Sequence, residues 1–239
     1  MKRCLSSFEL KCIACLSMLI DHIAVLMQEM GVSSFADEGS PLYVIMRLIG
    51  RLAFPIFAFL LVEGFYHTRS VTRYALRLAA AALVSEFFFD YLLFGETVQW
   101  YLLHQNVYVT LLLGLLMLQA VNWTARRFKD VELVQKLLTF VILAVFCVAA
   151  EVMRADYEFL GILMIAGFYY FRGRNTRNFL YFAVITLLLG GNETQYAAIA
   201  VIPFFCMYSG EKGREVGRLF YGFYPAHLAL LSLIRFVFS

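Results

Sequence analysis

Two residues that could perform acid–base chemistry lie in the first long apolar segment of the chain, residues 8–30. Lys11 stands near the start of this segment, and His22 lies well inside it, next to Asp21. Eleven residues at about 100° each make close to three helical turns, so Lys11 and His22 project from one face, roughly 16 Å apart along the axis. Imidazole is suited to proton transfer near neutral pH. The spacing favours a long ligand with a charged head near Lys11 and a reactive tail near His22.

The composition predicts which solvent surrounds these residues. Hydrophobic residues make up 62% of the 239-residue chain and charged residues 15%, whereas an ordinary soluble domain carries about 25% charge. We therefore expect an all-α, polytopic transmembrane helical bundle forming one domain over residues 1–239, in contact with lipids and not with nucleic acid. The first span carries internal charges and no small-residue cleavage site follows it, so we expect it to be retained and not removed as a signal peptide.

About nine apolar segments could cross a bilayer as helices. Several are short, so one or two of them could be tilted or re-entrant. The expected spans are residues 8–30, 42–66, 71–94, 104–122, 135–153, 157–171, 178–190, 195–208 and 220–238.

Charge in the connecting segments alternates along the chain. Positive residues are concentrated on the cytoplasmic side of membrane proteins, so the alternation predicts a cytoplasmic N-terminus. The basic segments contain Lys2, Arg3, Arg69, Arg73, Arg126, Arg127, Lys129, Lys136, Arg172, Arg174, Arg177, Lys212, Arg214 and Arg218. The segments between them contain Asp37, Glu38, Glu96, Arg154, Asp156 and Glu193.

Polar residues inside the spans converge on the predicted outer half of the bundle, where they are costly unless they are paired or functional. Asp21 does not face His22, because adjacent helical residues diverge by about 100°. We expect it to pair with Arg47, Arg51 or a histidine of another helix. Arg47 and Arg51 share an i, i+4 face. Glu86 and Asp90 have the same spacing, which predicts a buried ion-pair ladder between the second and third spans, with structural support as its simplest role.

Two further groups are candidates for the site. His104, Gln105 and Asn106 open the fourth span, either as a solvated helix start or as groups that hold a substrate or an oxyanion. His227 lies near the middle of the last span. Cys12 and Cys15 form a C-x-x-C pair, but no second Cys or His pair completes a metal site, so no metal is expected.

Several segments resemble the TraX family of bacterial membrane proteins. They are LKCIACLSMLIDHI, RLIGRLAFPIFAFLLVEGFYHTR, SEFFFDYLLFG, HQNVYVTLLLG and FYGFYPAHL, which run in order from about residue 10 to 230. The resemblance implies an acetyltransferase of the bacterial cytoplasmic membrane, because the founding TraX protein is associated with acetylation of the N-terminal amine of conjugative pilin. Lys11-x10-His22 also resembles the R/K-x10-H signature of acyltransferase-3-type transmembrane acyltransferases, with Lys in place of the commoner Arg.

The resemblance implies that a cytoplasmic acyl-CoA, such as acetyl-CoA, is the co-substrate and that His22 is the catalytic base. The acceptor would be an extracytoplasmic peptide or glycan, and self-association into a homo-oligomer is left open. The other catalytic candidates are Asp21, His104 and Asn106. The candidates for donor and substrate binding are Lys11, Arg47, Arg51, Arg69, Arg73, Arg77, Glu86, Gln105 and His227.

Two competing classes remain at this point. A proton-coupled transporter would also bury Asp, Glu, His and Arg along a pathway. The sequence has no repeated half and no matching pair of broken helices, which many such transporters have. A non-catalytic assembly factor for a surface system is the third class. Binding of acyl-CoA would separate the enzyme from both alternatives.

Overall fold

A computed structural model of the chain describes residues 4–35, 39–94, 104–173, 175–189, 193–214 and 217–238, with only the backbone described at 94, 175–178, 193 and 217–219. The described residues are helical apart from their connections. The α-helices are α1 (Ser7–Glu29), α2 (Pro41–Gly50), α3 (Ala53–His67), α4 (Val71–Phe94), α5 (Val107–Arg127), α6 (Glu132–Val152), α7 (Glu158–Tyr170), α8 (Asn175–Leu189), α9 (Ile202–Cys206) and α10 (Gly217–Phe238). Short 3₁₀ helices cover Ser33–Phe35 and Glu193–Val201.

The helix boundaries follow the apolar segments of the sequence closely, with two departures. The expected span 42–66 is divided into α2 and α3 at residues 51–52, and the expected span 195–208 is a 3₁₀ helix that continues into the short α9. Five helical stretches are long and apolar enough to cross a membrane: Ser7–Glu29, Pro41–His67, Val107–Arg127, Glu132–Val152 and Phe220–Phe238. The all-helical expectation is therefore confirmed over the described residues, whereas the count of nine spans stays a prediction.

Some residues used to assign the topology lie outside the described part of the chain. They are Lys2, Arg3, Asp37, Glu38, Glu96 and Arg174. The side chains of Arg177, Glu193 and Arg218 are likewise outside the description.

Polar side chains just before α1 and α5 determine where these two helices begin. Ser6 caps α1 by accepting a hydrogen bond from the Phe8 backbone N–H, and the Glu9 carboxylate accepts one from the Ser6 backbone N–H. This capping box satisfies backbone donors that the first helical turn leaves without intrahelical partners. Asn106 caps α5 in the same manner by accepting from the Tyr108 N–H at 3.0 Å.

The chain divides into two compact units. The first comprises the described residues within 1–57, 83–99 and 186–239. In this unit α2 packs antiparallel to α1, since Ser17 donates to the Ile49 carbonyl while Asp21 contacts Arg47. In contrast, α10 runs parallel to α1. This direction follows because residues 11, 22 and 29 of α1 contact residues 220, 227 and 235 of α10, in that order.

The C-terminal part of α4 belongs to the same unit and also runs parallel to α10. The Ser232 hydroxyl donates to the Phe88 carbonyl at 3.0 Å. One turn further on, the Arg235 guanidinium donates to the carbonyls of Tyr91 and Leu92 at 2.9 and 2.6 Å. An arginine that binds the last carbonyls of a helix satisfies acceptors that have no intrahelical partner. The C-terminal ends of α1, α4 and α10 therefore meet at one edge of this unit.

The second unit comprises residues within 58–82 and 100–185, and α5, α6 and α7 pack against one another in it. The connections between these three helices are short, which is typical of antiparallel neighbours. Gly114 of α5 lies against the Ile165 side chain of α7, so a side chain at position 114 would displace that residue. Helix α6 is largely exposed and apolar on its outer face, as a helix in contact with lipid would be.

Close packing of α1 on α2 depends on a glycine, which yields a stability prediction. A Cβ atom added at buried Gly50 would overlap the Asp21 carboxylate, whereas a Cβ at Gly222 of α10 would meet open space. We expect Gly50→Ala to destabilise the detergent-purified protein by about 1–3 kcal/mol, since overpacking forces neighbours to move. Gly222→Ala is the matched control, and its unfolding temperature should equal or exceed that of the wild type. Equal unfolding temperatures for the two variants would contradict the close approach.

Candidate functional site

The two histidines inside the first unit form a buried hydrogen-bonded pair. Nδ1 of His22 lies 2.7 Å from Nε2 of His227, and both side chains are less than a tenth exposed. The two ring planes are within 5° of parallel, with centroids 5.0 Å apart. The centroid distance exceeds the nitrogen distance by about two ring radii, so the rings meet edge to edge in one plane and are not stacked face to face. The sequence placed His227 among the substrate-binding candidates, and the structure brings it directly against the predicted base.

Aromatic side chains of α10 enclose this histidine pair. The Phe223 ring stacks on the face of His227 at 5.0 Å, and the buried Tyr224 meets both imidazoles edge-on, at 6.1 Å from His22 and 5.3 Å from His227. Pro225 interrupts the hydrogen bonding of α10 one residue later, because proline has no backbone N–H. The rings restrict the imidazoles and provide an apolar environment in which a proton transfer would be shielded from water.

Asp21 and Arg47 form an ion pair on another face of α1. Arg47 Nη1 lies 2.5 Å from Asp21 Oδ2, and both side chains are less than a quarter exposed. This pairing confirms one of the sequence expectations for Asp21. It directs the carboxylate toward α2, so Asp21 is part of the helix packing next to His22. A direct catalytic role for Asp21 stays a prediction.

Lys11 lies where α1 and α10 begin together. Its Nζ is 5.4 Å from the centroid of the Phe220 ring, and Phe220 contacts Phe8 edge-on at 5.9 Å. Two further cations lie nearby in the segment before α10. Lys212 is close enough to repel Lys11 electrostatically, and the Arg214 guanidinium is 5.9 Å from the Phe8 ring. The basic cluster formed by Lys11, Lys212 and Arg214 can attract an anionic ligand, and Glu9, Glu211 and Glu215 are the acids nearest in sequence.

An ion pair that the sequence analysis missed joins the other ends of these helices. Arg235 Nη2 lies 2.8 Å from Glu29 Oε2. A signal for it was present, since Glu29 is seven residues after His22 and eighteen after Lys11, which places all three on one face of α1. The face toward α10 therefore carries a cation at one end, a histidine in the middle and a carboxylate at the other end.

In the second unit, the three residues before α5 take separate positions. His104 is exposed, and the Gln105 backbone pairs with residues 154 and 156. Asn106 is fully buried, where its side-chain oxygen caps α5 and its Nδ2 donates to the Ala82 carbonyl at 2.9 Å. The helix start is confirmed, but at Asn106 it is buried and not solvated. These contacts give the Asn106 amide a structural role, and an oxyanion-binding role stays a prediction.

The remaining charged candidates differ in their exposure. Arg69, Arg73 and Arg77 are exposed in the second unit. Glu86 and Asp90 are almost completely buried on α4, and the ladder that would pair them with Arg47 and Arg51 stays a prediction.

An ion pair between Arg172 and Glu63 in the second unit packs against aromatic rings, which gives it a structural role. Arg172 binds Glu63 through two hydrogen bonds of 2.7 and 3.2 Å, and its guanidinium lies 4.2 Å from the Tyr66 ring. Tyr66 in turn stacks on Tyr169 at 5.7 Å. Within the described ranges no group of three or more His, Cys, Asp or Glu side chains is arranged to hold a metal ion.

The fold and the histidine pair thus define a helical protein of the membrane type with a buried polar centre. Residues 6–235 match the family described as TraX protein, so the chain belongs to the TraX family. It is also 30% identical to a protein of Dichelobacter nodosus described as "Probable fimbrial assembly protein FimC, serogroup H1", over 95% of this chain and 94% of that protein. No solved structure matches the chain.

The Asp21–Arg47 pair yields a prediction about stability. Removing one partner of a buried ion pair strands a charge, so Arg47→Met should lower the free energy of unfolding by about 3 kcal/mol or more. A double-mutant cycle with Asp21→Asn should recover much of this loss, since the stranded charge is then absent.

Glu132 and Lys136 of α6 provide the matched control, because their i, i+4 ion pair is about three-quarters exposed. The same cycle at this pair should give a coupling of about 0.5 kcal/mol or less. A coupling for Asp21 and Arg47 that is no larger than the control would show that the pair does not hold α1 on α2.

Proposed function

We propose that the chain is an integral-membrane acyltransferase that moves an acetyl or other acyl group from cytoplasmic acyl-CoA to an acceptor amine or hydroxyl at the outer face. The observation that carries the proposal is the buried His22, whose Nδ1 is bound by His227. This contact leaves Nε2 as the ring atom directed away from the pair, and no described residue forms a hydrogen bond with it. A buried, oriented imidazole with one available nitrogen is suited to general-base catalysis.

In the proposed reaction, His22 Nε2 is the general base. The acceptor amine or hydroxyl attacks the thioester carbonyl as His22 Nε2 removes its proton. The tetrahedral intermediate collapses by breaking the C–S bond, and the leaving thiolate of CoA takes the proton back from Nε2. The products are the acylated acceptor and CoA, with His22 returned to its neutral form. Asp21, one residue away, pairs with Arg47 and contributes to the alignment of α1.

The donor end of the proposal rests on Lys11. Acyl-CoA carries phosphates at one end and the thioester at the other. On one face of α1, Lys11 would lie at the phosphate end of the ligand and His22 at the thioester end. Lys212 and Arg214 lie near Lys11 and would add to the attraction for phosphate.

The acceptor is inferred from the relatives. The founding protein of the TraX family is associated with pilin acetylation, and the Dichelobacter nodosus relative is described as a probable fimbrial assembly protein. A pilin or related peptide with a free N-terminal amine is therefore the acceptor that we favour. An acceptor hydroxyl on a cell-surface glycan would use the same base in the same manner.

The relative directions of the helices agree with the nine-span arrangement that we propose for the bacterial cytoplasmic membrane. In the nine-span arrangement with a cytoplasmic N-terminus, the first, third and ninth spans all run outward. The corresponding helices α1, α4 and α10 run parallel in the first unit, and α2 runs antiparallel to α1. In that arrangement seven spans lie between α1 and α10, and an odd number of intervening crossings agrees with their parallel directions.

The catalytic prediction separates binding from chemistry. With detergent-purified protein, His22→Gln should abolish acetyl transfer to a peptide with a free N-terminal amine, measured by mass spectrometry, while acetyl-CoA still raises the unfolding temperature. Lys11→Ala should weaken that thermal shift. His67→Gln and Lys136→Ala are matched controls on exposed residues and should retain both properties. An N-terminally blocked peptide serves as the acceptor control.

Two results would contradict the proposal. Full transfer by His22→Gln would remove the assigned base. A folded wild-type protein whose unfolding temperature responds to neither acetyl-CoA, longer acyl-CoAs nor free CoA would favour the transporter class, and proton-driven uptake would then be measured.

The topology makes a separate prediction. A fluorescent protein that matures only in the cytoplasm should be fluorescent when fused after residue 130 or residue 212, and dark when fused after residue 156. Alkaline phosphatase fused at the same positions should give the reverse pattern, since it is active only outside. The same sign at 130 and 156 would show that α6 does not cross the membrane.

A further inference from the structure

His227 is hydrogen-bonded on both of its ring nitrogens. Its Nδ1 lies 2.9 Å from the carbonyl oxygen of Phe223, one turn earlier in α10, and its Nε2 lies 2.7 Å from Nδ1 of His22. A carbonyl oxygen accepts hydrogen bonds and cannot donate them. The proton of a neutral His227 must therefore be on Nδ1, where it is donated to Phe223.

This arrangement determines the protonation of both rings. A neutral imidazole carries one N–H, so Nε2 of His227 presents a lone pair. Nδ1 of His22 must then carry the proton that is shared between the rings, and Nε2 of a neutral His22 is unprotonated. The lone pair of an imidazole nitrogen lies in the ring plane, and the coplanar, edge-to-edge arrangement directs it at the partner N–H. The order of donors is His22 to His227 to the Phe223 carbonyl.

We propose that His227 is a positioning residue that fixes the tautomer of His22, so that Nε2 is always available as a base; its catalytic value rests on the proposed function. The hydrogen-bond relay from His22 through His227 to the Phe223 carbonyl has the same role as the third group of a catalytic triad. That group holds the histidine in the correct tautomer and stabilises it once it is protonated. Here a neutral imidazole anchored on a backbone carbonyl takes the place of a carboxylate.

A neutral partner suits this location. When His22 accepts a proton at Nε2, it still donates its Nδ1–H to His227, and the positive charge is stabilised without a further charge in the apolar centre. A carboxylate at position 227 would be ionised in the resting state and would be costly to bury. The Phe223 and Tyr224 rings hold the His227 plane in place, so the lone pair stays aligned.

The tautomer can be measured without any assay of function. The chain contains four histidines: His22, His67, His104 and His227. In protein labelled with ¹⁵N-histidine at about pH 8, above the ordinary histidine pKa near 6.5, ¹⁵N shifts distinguish protonated from unprotonated ring nitrogens. His67→Gln and His104→Gln identify the other two rings. We expect His22 and His227 both to be protonated on Nδ1. A His22 ring protonated on Nε2 would overturn the proposal.

Two replacements of His227 then test the consequence for catalysis. His227→Phe keeps a ring but removes the acceptor, so the tautomer of His22 is no longer fixed, and kcat for acetyl transfer should fall at least about 10²-fold, with KM for acetyl-CoA unchanged. His227→Gln places a carbonyl oxygen within reach of Nδ1–H and should retain the His22 tautomer and most of kcat. A merely structural role would lower the stability of both variants without this difference in kcat.

The outcomes distinguish this proposal from the proposed function. Equal kcat for wild type, His227→Gln and His227→Phe would overturn the positioning role, and so would equal losses in the two variants with the His22 tautomer retained in both. Loss of the Nδ1–H form in His227→Phe, combined with full transfer by His22→Gln, would confirm the hydrogen-bond relay and reject His22 as the base of the reaction. If His227→Phe does not fold, the wild-type spectrum and His227→Gln still decide the question.

Discussion

The structure depends on the high cost of an unpartnered polar group in an apolar helical bundle. Helix α1 carries several polar side chains, and the four that follow each have a partner on a particular neighbouring helix. Ser17 and Asp21, one turn apart, bind α2, whereas His22 and Glu29 bind α10. Hydrophobic contacts alone would allow α1 to rotate or slide, since one apolar side chain can replace another in lipid. The polar pairs fix its rotation and its depth, and the geometry of the candidate site follows from them.

The elements of the fold could be predicted largely from the sequence, because apolar runs of sufficient length and the basic residues that separate them are local signals. The division of the second predicted span was not predicted. A local signal for the break at residues 51–52 was present, since Pro55 has no N–H to donate to the Arg51 carbonyl four residues earlier and Gly50 lies just before the break, but the apolar run 42–66 was interpreted as one helix. The close approach of Gly50 to Asp21 in the turn before this break is a tertiary contact, which periodicity cannot reveal.

The residues of the candidate site could be named from the sequence, but most of their partners could not. Lys11 and His22 were placed on one face by helical geometry, and the same arithmetic extends to Glu29. The partner of each residue depends on the order and direction of helices that are distant in sequence. Three partners were expected for Asp21, namely Arg47, Arg51 or a histidine of another helix, and the structure pairs it with Arg47. His22 and His227 are separated by 205 residues, and only the parallel packing of α1 and α10 brings them to one depth.

Asn106 shows why residue type alone cannot separate a structural role from a chemical one. Asparagine is a preferred helix N-cap and also a donor suited to an oxyanion. In the structure its oxygen caps α5 while its amide nitrogen binds a carbonyl of α4. Both groups of this side chain are thus used to hold the helix start in a buried position, where an unsatisfied amide would be costly.

The position of His22 within α1 has a consequence for the direction of the proposed reaction. The histidine is eleven residues beyond Lys11 and seven residues before Glu29, which corresponds to roughly 16 Å and 10 Å along the axis. A donor bound by its phosphates at the Lys11 end would have to extend along the helix to bring its acyl group to the base. An acceptor that entered at the Glu29 end would have the shorter path. Because both distances are measured on one rigid helix, they are set by the number of residues and not by a loop conformation, and a helix is the more exact support for such a site. The pairing of α1 with α10 at its start, middle and end keeps this spacing fixed while His22 gains and loses a proton.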